Sequence, residues 1–129
     1  MHDETKKYEL MEPGIKITAE TGREGEDSMC TAEICLHIGG YSNLMQARQE
    51  ASEFGMDSVF TRRSAVFPNP VDFGLRIKPL ESVAKPWPDP ASPLNQFYVD
   101  LHIEVEGCTD RVEDWYRRTA AQVKIMHPS

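Results

Sequence analysis

Two histidines lie in matching contexts, Ile34-Cys35-Leu36-His37-Ile38 and Val99-Asp100-Leu101-His102-Ile103, at an offset of 102 − 37 = 65 residues. A neutral imidazole is a common ligand for zinc and its neighbours, and a carboxylate such as Glu104 or Glu33 would complete a three-donor set for a divalent transition metal. One reading is therefore a metal-dependent lyase, isomerase or dioxygenase with His37, His102 and Glu104 as ligands. The other needs no metal and no cofactor. In it His37, His102, Tyr98, Arg76 and Trp87 form a surface that recognises a small molecule or a protein partner without chemistry. Strand histidines serve structure more often than catalysis, so the non-catalytic binding role is the main expectation and the metal enzyme the alternative.

Other routes to chemistry are closed. The G-x-S-x-G, G-x-x-x-x-G-K-[ST], G-x-G-x-x-G and H-E-x-x-H motifs are all absent from the sequence, which removes the familiar scaffolds for acyl, phosphoryl and hydride transfer. Cys30, Cys35 and Cys108 are an odd number with no C-x-x-C pair. Free thiols in a reducing compartment are expected, and neither a disulfide scaffold nor a zinc knuckle. Cys108 precedes a helix start, where the helix dipole favours a thiolate, but Asp110 competes for the same position.

For the two imidazoles to act together, the chain must present them on one surface. Ala32, Ile34, Leu36 and Ile38 alternate with Thr31, Glu33, Cys35 and His37. Phe97, Val99, Leu101, Ile103 and Val105 alternate in the same way with Tyr98, Asp100, His102, Glu104 and Glu106. A period of two marks a half-buried strand, and in both strands the histidine falls on the side that the apolar residues avoid. Leu44, Ala47, Ala51 and Phe54 predict a helix capped by Ser42 or Asn43 and ended by Gly55 in the left-handed region. Val112, Trp115, Tyr116, Thr119, Ala120 and Val123 predict a second helix, capped by Thr109 or Asp110. Further strands are expected at Ile15–Ala19, Val59–Phe67 and Val71–Lys78. Pro79 to Pro93 holds five prolines and reads as a loop, in which Trp87 either closes one end of the core or supplies contact area.

These elements predict a single α+β domain over residues 1–129, with residues 1–14 a poorly ordered arm. The architecture expected is a two-layer open-faced sandwich, ferredoxin-like in general outline. Its sheet is mostly antiparallel or mixed, with two helices on one face. Both histidines then occupy the helix-free face. An uncovered face needs a lid, which predicts a two-fold homodimer.

The repeated Leu-His-Ile, each followed by an amphipathic helix, suggests an internal duplication of a strand-strand-helix unit. The stretch Leu101-His102-Ile103-Glu104-Val105-Glu106 with its capped helix also resembles the histidine-bearing strand and helix of the vicinal oxygen chelate superfamily. That resemblance implies βαβββ modules with ligands on the sheet face away from the helices, and His37 with His102 as the ligating pair. The chain departs from it in lacking, after the last helix, the three strands of which one carries a carboxylate ligand. Two-histidine phosphoesterases place a hydroxyl residue two positions after each histidine, where this chain has Gly39 and Glu104.

Composition narrows the partners. The 129 residues include 14 Lys or Arg and 21 Asp or Glu, for a net charge of −7. A chain this acidic is not built to track phosphate backbones, so no nucleic-acid partner is expected. The acidic run around Glu20 to Asp27 reads as a solvated loop. No apolar run approaches the ~20 residues of a spanning helix, and the N-terminus is not a secretory signal. A cytoplasmic protein without a membrane partner is expected.

Overall fold

The computed structural model describes residues 13–21, 28–56, 68–87, 93 and 95–126. Most of the expected N-terminal arm and the strand expected at Val59–Phe67 lie outside the described residues.

Four strands form one antiparallel sheet: β1 (Gly14–Thr21), β2 (Met29–Tyr41), β3 (Arg76–Pro86) and β4 (Phe97–Cys108), in the order β1-β2-β4-β3. Two helices cover one face. α1 (Leu44–Phe54) lies against β3 and β4, and α2 (Thr109–Met126) against β2 and β4. The result is the two-layer α+β sandwich that the strand parity predicts. Among the described residues the elements run ββαββα, so neither a ferredoxin-like βαββαβ order nor an internal duplication is shown.

Alternation builds the core. Ala32, Ile34, Leu36 and Ile38 from β2 and Val99, Leu101, Ile103 and Val105 from β4 turn toward the helices and meet Ala47, Ala51, Phe54, Val112 and Trp115. Burying one such Leu or Ile side chain is worth roughly 1.5–3 kcal/mol. The Trp115 indole also donates to the Pro68 carbonyl at 2.8 Å, so its polar edge is satisfied inside the apolar layer. α1 is started by Asn43, whose side chain accepts from the Gln46 amide at 2.9 Å. Gly55 is not left-handed as expected. Its φ is −75°, and its amide folds back onto the last carbonyls of α1.

β3 departs most from the sequence reading. Residues 70–73 form a 3-10 turn opened by Asn69 and closed by Gly74 at φ 69°, so the strand begins only at Arg76. It then continues to Pro86, through prolines that predict a loop. A sheet edge tolerates proline, because an outward N–H has no ladder bond to lose. The register against β4 also slips between Pro79 and Glu81. That extra residue reverses the faces of all that follow. Arg76 and Lys78 share the face opposite the helices, and beyond the slip it is Glu81, Val83 and Lys85 that do so. Ser82 turns inward and donates to the Ala51 carbonyl at 2.6 Å, and Ala84 packs on the core.

Candidate metal centre on the helix-free sheet face

The β2–β4 ladder sets Cys35 opposite His102 and His37 opposite Asp100. All four side chains leave the sheet away from the helices, in the middle of its two inner strands. The Asp100 carboxylate is the hub. Its Oδ1 lies 3.0 Å from His102 Nε2, 3.5 Å from His37 Nε2 and 3.5 Å from Cys35 Sγ. Cys35 Sγ is 3.8 Å from His102 Nε2. The other carboxylate oxygen, Oδ2, accepts from Lys85 Nζ at 2.7 Å.

This face was expected to be solvent-exposed, and at its centre it is not. Cys35 is 0% exposed, Asp100 5% and His102 7%. Burial alone would push the Asp100 carboxyl up, but His102, His37 and Lys85 more than offset it and hold the group well below the usual carboxylate range. Burial, reinforced by the Asp100 charge, pushes the Cys35 thiol up to about 12. The hydrogen bond to Asp100 raises Lys85 and keeps it charged. A thiol held protonated in this way is a weak nucleophile and binds a metal ion only by giving up its proton.

One group in the cluster is unsatisfied. His37 Nε2 is buried, and its 3.5 Å contact with Asp100 Oδ1 is electrostatic, too long for a well-formed hydrogen bond, which that nitrogen lacks among the described residues. Buried polar atoms in that condition need an explanation. Cys35, His37 and Asp100 each offer a ligand atom, and the three lie within 4.8 Å of one another. His102 Nε2 adjoins two of them.

An aromatic wall flanks the cluster. Trp87 stacks on Tyr98 with ring centroids 4.1 Å apart, and Tyr98 lies 4.6 Å from the His37 ring. Asn95 Oδ1 anchors the wall by accepting from Trp87 Nε1 at 2.9 Å and from the Gly40 amide at 3.0 Å. Of the two roles expected for Trp87, closing the core is not observed; the indole stands on the helix-free face.

The structure thus brings together His37, His102, Tyr98 and Trp87. It leaves Arg76 near the far end of the sheet, 3.8 Å from Glu106 on the rim of a concavity of about 330 Å³. Glu104 sits one pair beyond His102, between Glu33 and Lys78, and is not a member of the ligand group. Cys35 and Asp100 take the place expected for a glutamate. Both were visible in the sequence as neighbours on the correct face. Lys85 was not, since its parity depends on the slip near Leu80.

No family model matches the chain, and no curated protein or solved structure is significantly similar to it. No helix among the described residues is long and apolar enough to cross a membrane.

Proposed function

We propose that this chain is a small non-catalytic metal-binding domain that holds a divalent transition ion, zinc in the first instance, on Cys35, His37 and Asp100, with His102 paired to the Asp100 carboxylate beside them. The spacing of the donor atoms carries the reading. Bonds of about 2.0–2.3 Å to a tetrahedral zinc ion put ligand atoms about 3.3–3.8 Å apart. Asp100 Oδ1 lies 3.5 Å from both His37 Nε2 and Cys35 Sγ, and all three donor atoms fall within 4.8 Å of one another. His37 Nε2, which has only the long contact to Asp100, would gain the ion as a close partner.

Three protein donors leave the fourth position of a tetrahedral ion to water, and the burial of Cys35, Asp100 and His102 gives that position little access to a substrate. That burial supports a non-catalytic centre over the lyase, isomerase or dioxygenase alternative. Thiolate and imidazole donors favour zinc, cobalt(II) or copper over magnesium and calcium.

Elemental analysis of untagged protein, followed by cobalt(II) substitution, tests the proposal. Stoichiometric metal is expected, with a sulfur-to-cobalt charge-transfer band that disappears in Cys35→Ser and weakens in His37→Ala. Protein that is metal-free as purified, and whose thermal stability ignores added zinc and chelator alike, would overturn it. The Trp87–Tyr98 stack favours a second role for the same face, recognition of a small molecule or protein partner. Its expected signature is loss of that binding in Trp87→Ala with metal content intact.

A further inference from the structure

Asp100 presents its two oxygens to different neighbours. Oδ1 faces His102, His37 and Cys35, and Oδ2 is held by Lys85 Nζ at 2.7 Å. Lys85 reaches it from the edge strand only because the register slips between Pro79 and Glu81. Without that slip its side chain would point toward the helices. The bulge therefore re-aims one side chain at one carboxylate oxygen, a common use of such irregularities beside functional sites.

We infer that Lys85 is a positioning residue that sets the metal preference of the site, an inference that rests on the metal-binding role proposed above. The Lys85 ammonium turns Oδ2 away from Cys35 and His37 and makes it a poorer second donor. Asp100 therefore acts as a one-oxygen ligand, and the ion, with Cys35, His37 and one water, stays four-coordinate. Zinc and cobalt(II) accept four ligands readily. Manganese(II) and calcium prefer six or more, mostly oxygens, and would need both Asp100 oxygens or added water. Lys85 thus excludes larger, oxygen-seeking ions. Its own charge faces the ion across the carboxylate, and the neighbouring charged or titratable groups are Tyr98 and Glu81.

Cobalt(II) spectroscopy on Lys85→Met provides the test, with Lys85→Arg as the variant that keeps a donor on Oδ2. Native protein and Lys85→Arg should show intense visible bands of tetrahedral cobalt. Lys85→Met should keep the sulfur-to-cobalt band but lose visible intensity several-fold as Asp100 becomes bidentate. Its preference for zinc over manganese should narrow by about tenfold. X-ray absorption of the zinc-loaded native protein, which needs no variant, should give one sulfur and three nitrogen or oxygen neighbours. A fifth neighbour in the native protein overturns the inference, and so do unchanged band intensity and metal preference in Lys85→Met. Native protein that binds no cobalt at all overturns the underlying metal-binding role instead, and the inference falls with it.

Discussion

Leu36 lies directly opposite Leu101, and the β2–β4 ladder reads the same in both directions from that pair. On one side Cys35 faces His102, and on the other His37 faces Asp100. Each member of the quartet therefore has its counterpart 65 residues away, as Cys35 has Asp100. The helices follow the same period, with α1 opening at Leu44 and α2 at Thr109. The outer strands do not, since Gly14 faces Cys35 but Val83 faces Asp100. Both leucines are fully enclosed. Leu36→Ala and Leu101→Ala should each lower stability by about 2–5 kcal/mol. The double variant should differ from the sum by roughly 0.5–3 kcal/mol, because the two side chains share one site. Urea unfolding of the four proteins measures this.

Acid should weaken the metal-free protein through Asp100. Its carboxyl is held below the ordinary value in the folded state, so the unfolded chain takes up the proton first as pH falls. The stabilisation is complete above the ordinary carboxylate value of about 3.9 and drains away below it. The melting temperature in chelator should begin to drop at about pH 4 to 5 and keep dropping below about pH 3, because the folded carboxyl takes up its proton only well below the ordinary range. Asp100→Asn should melt lower than native protein at neutral pH, with the gap closing in acid. A constant gap would show that Asp100 contributes no charge-dependent stability.

The thiols should react in a fixed order. Cys35 and Cys30 are buried and their thiols are pushed up, chiefly by that burial, whereas Cys108 is only half-buried. Iodoacetamide at pH 8 should label Cys108 alone in the native state, and all three cysteines after denaturation. Peptide mass mapping reads the result.

Gly107 is fixed by close packing. A Cβ there would stand 2.5 Å from Leu75 Cδ2 and 3.3 Å from the Gly74 carbonyl oxygen. Gly107→Ala should cost about 1–3 kcal/mol, the range for overpacking. The matched change Gly55→Ala meets nothing closer than 3.4 Å and should be far milder. Thermal denaturation separates the two.

Most of the fold was legible because two strands alternate without interruption. His37 and His102 could be assigned to the helix-free face from the residues beside them, and Asn43 could be read as a cap from its place before an apolar stripe. β3 was not legible. Pro79 and Pro86 are breakers in an inner strand but acceptable at an edge, and nothing local in the sequence says which position a strand will take. The residues around the two histidines were hidden for a related reason. Glu104 and Asp100 have the same parity, and only the register of β4 against β2 decides which of them meets the histidines.

The clustered side chains come in pairs, Cys35 and His37 from β2, Asp100 and His102 from β4. Neither half of the polypeptide owns a complete set, so an ion held there would act as a cross-link across the midline of the sheet. Such a staple cannot form while the chain is still growing past its first half. Once formed, it would close a loop of more than sixty residues and make separation of the two halves the costliest step in unfolding.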